Sequence, residues 1–377
     1  MSGYTTHNYF METTSTTTHI STKGYGASGD LIGGKTLKPM DFERPAPQAD
    51  EVLIDMLYCG VCHSDVHQVA NDWKNTIYPC VPGHENIGRV TFAGSNVTKF
   101  KVGDIVGVGC MIDSCQHCDP CHEGEEQFCE GPHGPTMTYN GYWVPDETKY
   151  NTFGGYSTNL VVKDKFVVKI PDTLDITKAA PILCAGVTTY SPLKHWGVKA
   201  GDTVGVIGIG GLGHMAVMLA KAMGAKVTAI TTQEEKRSEA LALGADNVLI
   251  STDEKAMKAF EKQLDFILCT IPESFDVNPY ISLIKRRGAL VTVGLLGPYA
   301  APVNNMEIAK LGRSIGGSLI GGIAETQEVL DFCAEHNILP QTEMIKIQDI
   351  NEAFEKIKDE DVRFRYVIDM ASLKESQ

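Results

Sequence analysis

The chain has 377 residues, 43% of them hydrophobic, and a formal net charge of −14. That length suits two domains of ordinary size with ample buried core, and the acidic balance excludes nucleic acid and anionic membrane surfaces as partners, because both require a basic face. No uninterrupted apolar run approaches the roughly 20 residues needed to span a bilayer.

The first 22 residues contain no Lys or Arg, so neither a secretory amino-terminal region nor an Arg-rich transit peptide is present, and the cytoplasm is expected. Met11 to Thr18 is low-complexity with little to bury, and residues 1–23 are expected to form a tail. From Thr36 to Tyr58, short apolar runs alternate with Pro39, Pro45 and Pro47, a pattern of strands and turns. Two segments then carry candidate ligands: Cys59-Gly60-Val61-Cys62-His63-Ser64-Asp65-Val66-His67, and Tyr78-Pro79-Cys80-Val81-Pro82-Gly83-His84-Glu85. Both read as turns at strand ends, where rigid scaffolds present functional groups.

Cys115, Cys118, Cys121 and Cys129 follow at C-x2-C-x2-C-x7-C. Four thiols can close a tetrahedron around zinc and leave no open position, which makes this a structural metal lobe. An iron-sulfur cluster fits less well, since its bacterial spacing places three residues and then Cys-Pro after the third cysteine. A redox pair at Cys118 and Cys121 lacks the strand-helix context such a pair needs. His117 and His122 are expected to be solvated, and Cys59, Cys80, Cys110, Cys269 and Cys333 to pack. Cys184 lies downstream, in a segment expected to enter a helix. Singly, Cys62, His84 and Cys184 could each be a packed thiol or a backbone-bonded imidazole. Together they supply a Cys₂His zinc site with one coordination position open.

Thr203 to Ile207 is an apolar strand that opens into Gly208-Ile209-Gly210-Gly211-Leu212-Gly213. Gly208, Gly210 and Gly213 fit G-x-G-x-x-G, which allows a tight turn, close approach of a pyrophosphate to backbone amides and tight strand-helix packing. The following helix presents its positive end to that pyrophosphate. Met215, Leu219 and Met223 continue an apolar helical face, Gly224 caps it, and Lys226 to Ile230 reads as the next strand. Dinucleotide sites selective for the unphosphorylated ribose place Asp or Glu near the end of that strand. Here it ends Thr231-Thr232-Gln233, with Lys236 and Arg237 close behind. Hydroxyl donors and two cations there suit a 2′-phosphate, hence NADP(H), although Glu234 and Glu235 work against it. Phe266 to Cys269 and Leu290 to Val293 read as buried parallel strands, with Pro279 to Lys285 in a helix between them. Glu325 to His336 and Ile350 to Lys358 have helical spacing, and Phe364 to Met370 reads as a final strand.

These motifs, with Gly317-Ser318-Leu319-Ile320-Gly321-Gly322, resemble those of zinc-dependent medium-chain alcohol dehydrogenases, specifically the cinnamyl alcohol dehydrogenase group and its microbial NADP-dependent broad-specificity aldehyde reductases. The resemblance covers about residues 24 to 373. It implies an α/β fold with a GroES-like β-barrel catalytic domain split over residues 24–184 and 321–377, around a Rossmann domain at 185–320. Two zinc ions per chain and NADP(H) would be the cofactors, an alcohol or aldehyde the substrate. A homodimer joined through strands near Leu290 to Leu295 is implied as well. In such proteins Ser64 would contact the substrate oxygen, His67 would complete a proton relay, and Asp65 would orient His84. Glu85 would sit beside the metal, Thr188 would face the nicotinamide, and His63 would lie near the pyrophosphate. Leu319 stands where plant lignin-pathway relatives usually carry a bulky aromatic, which implies a less shape-selective pocket with Trp73 as part of its wall. Other expectations kept open are an NAD-linked enzyme working mainly in alcohol oxidation and a non-catalytic nicotinamide-binding zinc protein.

Overall fold

The computed structural model describes residues 18–29, 37–294, 297–358 and 363–375. Two large sheets organise them. The first runs, in spatial order, Thr342–Lys346, Arg365–Asp369, Glu51–Val61, Asn86–Ala93, Ile105–Val108 and Val168–Lys169, with Asn159–Lys163 also paired to Glu51–Val61. Alternation in the long strand Glu51–Val61 buries Val52, Ile54 and Met56, as a strand with one face on a core requires. One edge of that strand is shared. Glu51 to Asp55 pair with Asn159–Lys163, and Tyr58 to Val61 pair with Tyr366 to Asp369. The carboxy-terminal segment therefore completes a sheet begun by the amino-terminal half.

The second sheet is wholly parallel and runs Asn247–Ile250, Lys226–Thr231, Thr203–Ile207, Leu264–Cys269, Ile284–Thr292 and Ser314–Gly317. Ranked by sequence the order is 3-2-1-4-5-6, that of the Rossmann fold. Val204, Val206, Ile207, Ile267, Leu268 and Cys269 are all buried, as the near-continuous apolar runs of a two-sided parallel sheet demand. Helix Ile323–His336 packs on helix Ala185–His195, with Tyr190 and Phe332 rings 5.5 Å apart and the Tyr190 hydroxyl donating to Glu328 at 2.9 Å. Among the described residues no helix is long and apolar enough to cross a membrane.

Three expectations need correction. Residues 19–23, expected in a tail, belong to strand His19–Gly26, paired along its length with Lys38–Pro45; residues 1–17 lie outside the described set. Thr22 there is buried and donates to Asn159 Oδ1 at 2.9 Å, and the β-branched Ile20 and Thr22 suit a strand. Between Pro279 and Lys285 the helix is only Asn278–Ile281, because Leu283 and Ile284 are fully buried and the chain rejoins the ladder opposite Leu264. Leu290 to Thr292 is flanked by strands on both sides, so it offers no free edge for pairing across a two-fold axis; the sheet's edges are Asn247–Ile250 and Ser314–Gly317. Leu295 is outside the described residues.

Candidate metal centre and cofactor cleft

Cys62 closes strand Glu51–Val61 and caps helix His63–Val69. Asp65, fully buried in the first turn of that helix, organises the surroundings. Its Oδ2 accepts from the Cys62 backbone N–H at 2.9 Å and the Tyr156 hydroxyl at 3.3 Å, while Oδ1 accepts from Gly83 N–H at 3.1 Å and His84 Nδ1 at 3.0 Å. With Nδ1–H donated to Asp65, a neutral His84 carries its lone pair on Nε2. That nitrogen lies 3.2 Å from Cys184 Sγ. Cys184 sits at the start of helix Ala185–His195, so all three expected ligands meet although they come from three separate chain segments.

Ligand atoms of Cys62, His84, Glu85 and Cys184 all lie within 4.8 Å of one another, and all four residues are buried. A hydrogen bond from Cys184 is the largest influence drawing Cys62 below the ordinary thiol range, against burial and aided by Arg365 and His84. Burial pushes Glu85 up to about 7, opposed by Arg365, whose Nη2 contacts Glu85 Oε1 at 2.5 Å. Glu85 Oε2 is buried with no partner. A thiolate, a lone-pair imidazole nitrogen, a second thiol and an orphaned carboxylate oxygen form a donor set that fits zinc.

The second cluster, Cys115, Cys118, Cys121 and Cys129, also has its four sulfurs within 4.8 Å. Backbone N–H groups point at these sulfurs: Cys115 and Gly131 at Cys129, His117 at Cys115, and Glu130 at Cys118, at 3.3 to 3.5 Å. Such donors favour thiolates, and those of His117 and Cys118 hold Cys115 down to about 6. This lobe fits a closed four-thiol zinc. His117 and His122 are exposed as expected. Cys59, Cys80, Cys269 and Cys333 are buried. Cys110 is buried too, but it does more than pack: its thiol is within hydrogen-bonding reach of Cys184, which draws it below the ordinary range.

The glycine turn has the form its residues required. Gly208 adopts φ +84°, open to glycine at little cost, and a Cβ on Gly213 would lie 1.8 Å from Gly208 O. Gly210, Gly211 and Leu212 stay at least partly exposed before helix Gly213–Ala222. Thr188 is buried with an unpartnered Oγ1, an observation that fits a missing polar group in the cleft. At the end of strand Lys226–Thr231, Thr231 accepts from Gln233 N–H at 3.2 Å and keeps its own proton to donate, and Thr232 is exposed. Arg237 is engaged: both its Nε and Nη2 contact Glu234, and Nη1 donates to Val248 O at 3.2 Å. Arg237, one of the expected cation pair, is thus already salt-bridged to the neighbouring carboxylate.

On helix His63–Val69, Ser64 and His67 are three positions apart and share a face. The His63 and His67 rings stack at 5.5 Å, Trp73 lies 5.7 Å beyond His67, and His67 Nδ1 bonds Asp72 Oδ2 at 2.7 Å. Leu319 is half-buried just after the edge strand Ser314–Gly317. Sequence reading missed Asp72 and Arg365. Asp72 follows His67 by a helix turn and a loop that no motif marks, and Arg365 reaches Glu85 from 280 residues away.

A family profile described as alcohol dehydrogenase GroES-like domain matches residues 48–172, and one described as zinc-binding dehydrogenase matches residues 211–335. The chain is 48% identical over 351 residues to aldehyde reductase YahK of Escherichia coli, covering 92% of this chain and 98% of that one. It is 47% identical over 336 residues to NADP-dependent alcohol dehydrogenase C 1 of Mycolicibacterium smegmatis, covering 88% and 93%. Among solved structures, a cinnamyl alcohol dehydrogenase of Sorghum bicolor superposes with TM-score 0.88 at 41% identity, over 93% of this chain and 98% of that one. The corresponding enzyme of Helicobacter pylori complexed with NADP(H) gives 0.85 at 41% identity, over 94% and 99%.

Proposed function

The chain belongs to the zinc-binding alcohol dehydrogenases, and from that premise we propose that it interconverts primary alcohols and aldehydes, whether aromatic, cinnamyl-type or aliphatic, as a zinc- and NADP(H)-dependent aldehyde reductase. One side chain carries the reading. Arg365 bonds Glu85 at the metal centre, and a Cβ on Gly211 of the glycine turn would lie 3.1 Å from its Cδ. Metal ligands and nucleotide turn therefore flank the same buried group. When bound, zinc polarises the carbonyl and the nicotinamide carries the hydride.

The chain's own residues handle position and protons. Ser64 is assigned to the substrate oxygen, and His67 to onward proton movement. Donation of His67 Nδ1–H to Asp72 leaves Nε2 to accept or release a proton. Asp65 holds His84 in its ligating tautomer. The unpartnered Thr188 hydroxyl is assigned to the nicotinamide, His63 and Gly208 to Gly213 to the pyrophosphate, and Thr231, Thr232 and Lys236 to the 2′-phosphate, with Arg237 shared with Glu234. Leu319 and Trp73 are assigned to an apolar pocket of broad tolerance. A homodimer is proposed on kinship.

Initial rates with NADPH and NADH across aliphatic, benzylic and cinnamyl aldehydes, on protein of counted zinc content, test the proposal. Turnover of several classes with NADPH preferred is expected. A steep preference for coniferyl aldehyde alone, or for NADH, would refute it.

A further inference from the structure

Between the edge strand Ser314–Gly317 and helix Ile323–His336, the chain passes through Ser318 to Gly322. Ile320 there adopts φ +38°, a region that a β-branched residue occupies only when its surroundings impose it. Upstream, the segment is pinned by Ser318 N–H donating to Thr292 O at 3.1 Å. Downstream, the anchor is remote: Ile323 N–H donates to Glu126 Oε2 at 3.0 Å, across 197 residues of sequence.

Glu126 belongs to the four-cysteine lobe. It begins the single turn Glu126–Phe128 between Cys121 and Cys129, so closing the four thiols fixes where its carboxylate sits. The helix it meets starts at Gly322, which has no side chain with which to cap. A Cβ on Gly322 would lie 1.7 Å from Gly124 O and 2.8 Å from Glu126 Oε2, so the lobe backbone rests directly on the helix start. A carboxylate at that end also meets the positive pole of the helix. On its other side, the held segment packs toward the chain that leads into Cys184. Ile320, Gly321 and Ile323 line a small cavity with Cys110, Leu183 and Val187, and Leu183 immediately precedes the ligand Cys184.

We infer that Glu126 is a positioning residue for the substrate-facing segment Leu319 to Gly322, so that the four-cysteine lobe sets aldehyde selectivity from outside the pocket. The inference rests on Leu319 belonging to the pocket wall. Loss of the Glu126 anchor frees Ile320 to leave its imposed conformation, which changes the depth of that wall and leaves the nucleotide turn untouched.

The experiment compares wild type with Glu126→Ala, Glu126→Gln, Gly322→Ala and Leu319→Phe, each as full-length protein with zinc counted. The readouts are the ratio of kcat/KM for cinnamaldehyde to that for butanal and, separately, the dissociation constant for NADPH. Glu126→Ala should shift the ratio about 10-fold, the low end of what one methylene in an apolar pocket is worth, through KM and with NADPH binding unchanged. Glu126→Gln should restore it, since its amide oxygen still accepts the Ile323 N–H. Gly322→Ala should reproduce the shift with the lobe carboxylate intact, and it decides the matter if Glu126→Ala does not fold. A Glu126→Ala protein that melts earlier at an unchanged ratio, or a Gln variant no better than Ala, overturns the inference. Leu319→Phe separates the two readings: an unchanged ratio there defeats the pocket assignment and the inference with it. A shift in Leu319→Phe with none in Glu126→Ala or Gly322→Ala defeats the inference alone.

Discussion

Asp65→Asn keeps the shape of a fully buried side chain and removes its charge where four donors converge. In the native site each carboxylate oxygen serves two of them, Oδ1 the Gly83 N–H and His84 Nδ1–H, Oδ2 the Cys62 N–H and Tyr156 O–H, at 2.9 to 3.3 Å. An amide accepts at one end only. Turned with its NH₂ toward Cys62, it leaves a buried main-chain donor unpaired, at a cost of about 1–3 kcal/mol. Turned the other way, it drives His84 to accept at Nδ1 and carry its proton on Nε2, the nitrogen facing Cys184, which removes that nitrogen from ligation. In either orientation, zinc affinity at Cys62, His84 and Cys184 should fall about 10- to 100-fold, equivalent to about 1.4–2.8 kcal/mol. Chelator competition with zinc counting, run beside a thermal melt, measures it. The expected result is early loss of one zinc, the lobe metal retained, and activity partly restored by added zinc. An Asp65→Asn protein that holds its exchangeable zinc as tightly as wild type and melts at the same temperature would refute the account of how His84 is oriented.

Further outcomes follow from other groups. His214 is fully buried, stacked on Phe364 at 4.8 Å, and burial pushes it down to about 3; the unfolded chain therefore binds its proton first, and stability from this group, complete above about pH 6.5, falls by about 1.4 kcal/mol per unit as pH drops toward 3. Denaturant midpoints between pH 6.5 and 4.5 should show that slope reduced by about one proton in His214→Gln, and equal slopes would reject the assignment. Cys115→Ser should reduce zinc from two ions per chain to one and lower the melting temperature, because structural metal binding is coupled to folding; two zinc ions in the variant would contradict the four-thiol lobe. Thr231→Asp puts a carboxylate at the end of the second nucleotide-side strand and should lower the NADPH to NADH ratio of kcat/KM about 10- to 100-fold by repulsion, whereas an unchanged ratio would reject this placement of the 2′-phosphate.

The parts of the site legible in the sequence are those whose physical requirement is local. A turn that must approach phosphate calls for glycines at fixed spacing, and Gly208 and Gly213 show why: one has positive φ, the other has no room for a Cβ. Thiols able to close on one metal fall within a short span, as Cys115 to Cys129 do. Even Cys184, distant in sequence, is marked by the Ala185-Gly186 helix start that follows it. What stayed hidden depends on register and on competing pairings. Glu234 read as an acidic nuisance beside the cations, but a residue three positions from Arg237 is its natural ion-pair partner, and it takes that role. Cys110 carries no ligand spacing, and it comes within reach of Cys184 from the link between strands Ile105–Val108 and Met111–Asp113. His19 to Lys23 were counted with the tail, yet Asn159 and Thr158 supply partners that no local pattern announces.

Arg365 gives the physical reason for the split arrangement of the first sheet. The antiparallel register that sets Tyr366 opposite Val61 and Asp369 opposite Tyr58 places the strand's first residue beside Cys62, where its guanidinium meets Glu85 and its stem meets the nucleotide turn. Burial opposes the Arg365 charge, but Glu85 and the thiols of Cys62 and Cys184 outweigh it and hold Arg365 above its usual range. Glu85 in turn stays paired only because Arg365 is there. Removing one member of such a buried pair strands the other at about 3–5 kcal/mol, a large part of the stability of a whole domain. The final strand therefore does more than fill a sheet edge: it brings the counter-charge that opposes the upward push of burial on Glu85. A cation placed there from within the amino-terminal half would have to come from Glu51–Val61 or a neighbouring strand, whose inward positions are already committed to core and ligands. Supplying it from a segment that returns after the nucleotide sheet is complete lets the same side chain touch both halves of the cleft.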